Sequence, residues 1–136
     1  MSHNWVWDIE RMHSRFGVNS KVREMDNELK QKFLKFRADC VLEECNELQA
    51  AVESQNSEEI IDALIDVCVF AIGTLDSFGA DAHKAWDEVL RANMSKEVGI
   101  KEGRPNPFGL PDLIKPEGWQ GPSHNGNHGD LDEIFQ

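Results

Sequence analysis

The stretch "VWDIERMHSRF" places Val6, Ile9, Met12 (or His13) and Phe16 at three- and four-residue intervals. That spacing predicts an amphipathic helix, and "FGVNS" stops it. From about Asn27 to Glu53 the apolar positions Leu29, Phe33, Phe36, Cys40, Val41, Leu48 and Val52 recur in the same way. They predict a second, much longer amphipathic helix. "SQNS" reads as a turn, and Asn56 followed by Glu59 resembles a capping box in which Glu59 bonds back to Asn56. A third helix is predicted from about Glu58 to Phe78, closed at Gly79 by a left-handed cap. "DAHKAWDEVLRANMSK" gives a fourth, with Ala82, Ala85, Trp86, Val89 and Leu90 turned inward. No strand pattern and no internal repeat stands out. Past Gly99, "GIKEGRPNPFGLPDLIKPEGWQGPSHNGNHGD" is too rich in Gly and Pro for a regular element. The expected fold is all-α, a bundle of about four helices. Residues 1–99 would form the helical domain, 100–122 an irregular segment packed on it, and 123–136 a flexible tail.

Composition narrows the function. The 136 residues are one domain by size, and 40% hydrophobic with 29% charged is ordinary for a globular chain. A formal net charge of −11 argues against nucleic acid or an anionic membrane as partner, because phosphate contacts need clustered Lys and Arg. The basic residues between Lys21 and Arg37 are interrupted by Glu24, Asp26 and Glu28. No apolar run is long enough for a membrane span. "MSHNWVWDIERMHSRF" lacks the cationic start and apolar middle of a signal peptide. Cys40, Cys45 and Cys68 form no CxxC pair and read as reduced thiols in or near the core, in a cytoplasmic protein.

The acids pose the chemical question. Asp62 and Asp66 lie in a run that is otherwise almost wholly apolar, "EEIIDALIDVCVFAIG". If that helix is buried or crosses a core, each isolated carboxylate costs several kcal/mol or neutralises itself by a raised pKa, so about that much must be offset. Glu44 and Glu47 share a face of the second helix at i,i+3, as Glu59, Asp62 and Asp66 do on the third at i, i+3 and i+7. A cation between them resolves the repulsion. Carboxylates without interleaved His favour Mg²⁺, with Mn²⁺ able to substitute, over zinc or iron. Because Mg²⁺ commonly shares its shell with substrate phosphates, the pattern points to phosphate chemistry. A solvated acidic face at Glu43, Glu44 and Glu47 is the plain alternative.

"EECNE" followed by "SEEIIDALIDV" resembles the paired acidic signature of the all-α nucleoside triphosphate pyrophosphohydrolases. These are the MazG-like enzymes, related to phosphoribosyl-ATP pyrophosphohydrolase and dimeric dUTPase. The resemblance runs from about Trp7 to Trp119, through "NMSK" and "LIKPEGW", and is nearest to the short single-domain proteins of bacteria and phages. It implies a MazG-like helical bundle that forms a homodimer or tetramer. It also implies a Mg²⁺-dependent hydrolase, with two or three ions per site, that splits a (deoxy)nucleoside triphosphate into monophosphate and pyrophosphate. Glu59 and Asp62 fit the second half of the signature with a short gap after Glu47. Aligning on "DVCVFA" instead makes Asp66 the family's aspartate and Asp62 its partner. The metal set is accordingly read as Glu44, Glu47, Asp62 and Asp66, with Glu59 in reserve. Glu43, beside the catalytic pair Glu44 and Glu47, is read as a residue that orients water.

The same resemblance makes Lys96 a phosphate-binding cation, Asn93 a substrate hydrogen-bonder and Lys115 a group closing over the phosphates. Trp119 then packs the segment or covers the site, and Arg104 is a lesser candidate. Without it, Lys96 and Asn93 are a solvated last turn where a cation complements the helix dipole. Arg37, seven before Glu44, either reaches the substrate from the acidic face or pairs with Asp39 or Glu44. Trp5, Trp7 and Trp86 read as core or subunit-interface residues in preference to base-stacking platforms. His124 and His128 have an HxxxH spacing but no expected helix to align it on zinc. Two rivals remain: a non-catalytic, metal-stabilised interaction module, and a hydrolase of a phosphoribosyl-nucleotide or another diphosphate-linked metabolite.

Overall fold

The structure, a computed structural model, describes residues 3–101, 103 and 107–136. The chain divides into two compact units, Met1–Ala82 with His128–Gln136, and His83–Asn127.

The first unit is helical. Asn4 accepts the Trp7 N–H at 3.1 Å and starts α1, Trp5–Phe16. Gly17 ends it at φ +70°, a conformation that a side chain would strain. The chain then resumes at once as α2, Val18–Glu24. Asp26 accepts the Leu29 N–H at 2.8 Å and opens α3, Asn27–Glu53. Ser54, Gln55 and Asn56 reverse the chain, with Gln55 in the left-handed region at φ +57°. Asn56 then caps α4, Ser57–Ser77, through the Glu59 N–H at 3.2 Å. So short a connection makes α3 and α4 an antiparallel helical hairpin, the main packing interface of the unit. Helices α1 and α2 lie on α4. Ile9, Val22, Ala51, Ala63 and Phe78 are buried, and the Phe33 and Phe78 rings meet at 5.9 Å.

The C-terminal residues close this unit. A short helix, α6 (Leu131–Ile134), inserts Ile134, which is completely buried. Side-chain amides of Asn27 and Gln31 on α3 donate to the carbonyls of Glu133 and Ile134. The Asp130 N–H donates to the Phe78 carbonyl at 2.7 Å, and Gly129 fits beside that carbonyl because a Cβ there would overlap it.

The second unit holds α5, Ala82–Met94, and a small antiparallel pair, β1 (Glu97–Gly99) and β2 (Asp112–Ile114). Their register is Glu97 opposite Ile114, Val98 opposite Leu113 and Gly99 opposite Asp112. Residues further on are fastened to α5. Trp119 Nε1 donates to the Ala92 carbonyl at 2.9 Å, Arg91 to the Gly121 carbonyl at 3.1 Å, and the Ser123 N–H to Glu88 at 3.1 Å.

The fold is all-α in class, with 65% of the described residues helical. Six helices stand among the described residues, against the four expected, because α2 and α6 are too short to show a period. The segment after Gly99 contributes β2 and joins α5 in the second unit, and residues expected as a loose tail carry α6. The apolar faces are less covered than their sequence suggests. Trp5, Trp7 and Trp86 are 55%, 60% and 68% exposed, so none is a core residue of the chain. Ile61, Leu64 and Ile65 on α4 are also exposed. Helices α1, α2 and α3 together leave part of this largely apolar helix uncovered.

Candidate active site

Hairpin geometry decides which acids meet. Glu44 lies eleven residues before Gln55 and Asp66 eleven after it, so equal rise along two antiparallel helices sets them at one level. Glu47 and Asp62, eight before and seven after, form the next rung toward the turn. Glu59 lies only four residues past Gln55, about a turn nearer the bend than Asp62. Its backbone N–H is capped by Asn56, but the return bond of a capping box is absent. The Asn56 N–H goes instead to the Ala51 carbonyl at 2.9 Å.

The electrostatics follow that ladder. Glu44 and Asp66 are half-buried, while Glu43, Glu47, Asp62 and Glu59 are exposed. The exposure of Asp62 corrects the expectation that both aspartates of α4 are buried, since the apolar residues around it are themselves uncovered. Glu44 is held above the usual carboxylate range, first by burial, then by Glu47, Asp66 and Glu43. One of its oxygens, Oε2, is buried and has no hydrogen-bond partner. A buried, unpartnered carboxylate oxygen is costly unless something positive binds it. Among the described residues, no three His, Cys, Asp or Glu side chains converge as a ready-made cage.

Arg37 is engaged elsewhere. Its Nε donates to Thr74 Oγ1 at 3.1 Å, and a terminal nitrogen donates to the Phe70 carbonyl at 3.2 Å, with the guanidinium over the Phe70 ring. Burial lowers its pKa. The alternative pairing with Asp39 or Glu44 is not formed, and Asp39 is bound by Lys35 at 3.0 Å. Beside Arg37, the buried His13 places Nδ1 2.7 Å from Asp76 Oδ2, which also accepts from Asn19 at 2.8 Å. This cluster ties α1, α2 and α4 together, and nothing in the sequence spacing announces it.

In the second unit the predicted cations come together. The register extends outward from Glu97 and Ile114 to Lys96 and Lys115. Their Nζ atoms lie 5.5 Å and 5.0 Å from the centre of the Trp119 ring. Asn93 is exposed at the end of α5, and Arg104 lies outside the described residues. His124 and His128 form no metal group, and His128 pairs with Asp132 at 2.9 Å.

These acids and their helices fall within a match to the family model of phosphoribosyl-ATP pyrophosphohydrolase, over residues 10–93. The chain belongs to that family. Phosphoribosyl-ATP pyrophosphohydrolases are part of the MazG-like all-α superfamily, so the chain is a hydrolase of phosphoric anhydride bonds. The match takes in Glu43, Glu44, Glu47, Glu59, Asp62, Asp66, Arg37 and Asn93, and it ends before Lys96 and Lys115. No curated protein matches the chain.

One further feature lies on α4. A cavity of about 190 Å³ between α1 and α4 is lined by Trp5, Asp8, Ile65, Val69 and Ile72 among others. Its only signal in the sequence was an acid one turn into a helix that begins with two tryptophans.

Proposed function

We propose that the protein hydrolyses a (deoxy)nucleoside triphosphate to the monophosphate and pyrophosphate, with Mg²⁺ held on the α3–α4 hairpin. The observation that carries this reading is the buried, unpartnered Glu44 oxygen beside Glu47 and Asp66. The donor set fits a hard cation: all its members are carboxylates, and Mg²⁺ needs only one or two of them while keeping its waters. Glu44, Glu47, Asp62 and Asp66 would hold two or three ions, with Glu59 a less favoured ligand because it sits nearer the bend. When bound, the ions supply the positive charge that a polyphosphate needs and make water nucleophilic at neutral pH.

The chain's own residues do the rest. Glu43, exposed beside Glu44, orients the attacking water and accepts its proton. Lys96 and Lys115 neutralise phosphate oxygens. Two like charges at neighbouring cross-strand positions repel, and the Trp119 face offsets part of that while an anion between them would offset more. Asn93 donates a hydrogen bond to the substrate. Arg37 acts chiefly by fixing α3 against α4, which keeps the two halves of the acid ladder level. The uncovered apolar faces of α1 and α4 support a homodimer or tetramer.

The family name favours a second reading, in which the substrate is a phosphoribosyl-nucleotide. A panel of eight ribo- and deoxyribonucleoside triphosphates with Mg²⁺, scored for pyrophosphate release beside Asp66→Ala, separates the two. Release that the substitution abolishes supports the triphosphate reading. Silence on all eight by folded protein rejects it in favour of the other substrate class.

A further inference from the structure

The cavity between α1 and α4 shares helix α4 with the acid ladder. On α4, Asp62, Ile65, Val69 and Ile72 succeed each other at steps of three and four, and Asp66 stands four after Asp62 and three before Val69, so the acids adjoin the apolar stripe. Val69 lies about 10 Å along the axis from Asp62 and about 5 Å from Asp66. A sugar and its first phosphate bridge such a gap. The cavity, about 190 Å³, is well below the roughly 300–1,000 Å³ of sites that swallow a whole drug-sized ligand, and so suits one flat ring system. Its lining is aliphatic apart from the Cys68 thiol, one indole, Trp5, and one charged group, Asp8. Among the described residues Asp8 forms no ion pair.

Resting on the nucleotide reading above, we infer that this cavity seats the substrate's base, with Trp5 as stacking surface and Asp8 as the residue that selects it. A carboxylate is acceptor-only. It is satisfied best by two adjacent donors, which guanine presents at N1–H and the N2 amino group. Cytosine and adenine offer one amino donor next to a ring acceptor. Uracil and thymine offer one N–H between two carbonyls, which a carboxylate repels. The predicted order is therefore guanine first, cytosine and adenine next, uracil and thymine last.

Steady-state kinetics on guanine, cytosine and uracil nucleoside triphosphates, for the parent protein and Asp8→Asn, test the assignment. The parent should favour guanine over uracil by at least about tenfold in kcat/KM. Asp8→Asn should erase most of that ratio, chiefly by raising KM for guanine with kcat little changed. Trp5→Ala should raise KM for every base by roughly tenfold without reordering them. Turnover with the same base order in Asp8→Asn overturns the inference and leaves the pyrophosphohydrolase reading intact. Binding of guanosine 5′-monophosphate against uridine 5′-monophosphate, by calorimetry, needs no turnover. Equal binding of the two, or a second copy's side chain filling the cavity in a crystal, overturns it independently of activity.

Discussion

Glu44 binds its proton more tightly than an ordinary glutamate because burial, Glu47 and Asp66 all oppose its charge. Below its unfolded pKa both states are protonated and the opposition costs nothing. As pH rises through the raised folded value, the unfolded chain ionises first and stability falls. Metal-free protein should therefore lose stability as pH climbs through and just above the usual carboxylate range. Glu44→Gln should flatten that part of the profile in chelator, and Mg²⁺ at neutral pH should raise the parent's melting temperature more than the variant's. Gly73 sets a second residue-scale test. A Cβ there would meet the Arg37 guanidinium and would lie 3.2 Å from His13 Nε2. Overpacking costs about 1–3 kcal/mol and better helix propensity returns about 1. Gly73→Ala should thus lose about 1 kcal/mol in urea denaturation, whereas a gain would show that Arg37 is not held where it lies. Residue spacing singles out the acids as candidates, but which of them face one another depends on the turn at Gln55. The sequence alone left Glu59 and Asp66 open, and the level of Asp66 opposite Glu44 now favours Asp66.

Elements were legible in proportion to their length. Four helices with several turns of apolar period were found within a residue or two of α1, α3, α4 and α5. Asn56 and Gly79 mark ends as their types suggest, with Gly79 at φ +75°. Three-residue strands cannot display alternation, and four residues of α6 cannot display a helical period, so tertiary packing alone decides them. Composition misled at the C-terminus: Gly and Pro marked residues 123–136 as loose, yet Gly129 is what lets the chain pass close to Phe78 and bring Ile134 into the core. Ile134→Ala should cost about 2–4 kcal/mol in chemical denaturation. A loss within experimental error would mean that α6 does not contribute to the first unit. The lysines of the second unit were picked out by resemblance, and their convergence on Trp119 came only with the strand register.

Among the described residues, many large apolar side chains are exposed. Trp7 and Ile61 are 60% and 65% exposed, on two different helices of one unit. Exposed apolar patches of this kind mark interaction surfaces, and a second copy is the occupant proposed. Sedimentation should give a dimer or tetramer at micromolar concentration, and Ile61→Glu should shift it toward monomer. A monomeric parent would rule out the proposed assembly. A net charge of −11 carries its own expectation under the proposed function: without divalent ions the site should repel an anionic substrate.

The most direct measurement is pyrophosphate release from a guanine nucleoside triphosphate by chelator-treated protein, before and after Mg²⁺ is added, with Glu44→Gln alongside. No release is expected without metal, release with it, and a loss of roughly a hundredfold or more in the variant at unchanged helicity. Equal release by parent and variant, or release that ignores Mg²⁺, would contradict the proposed function.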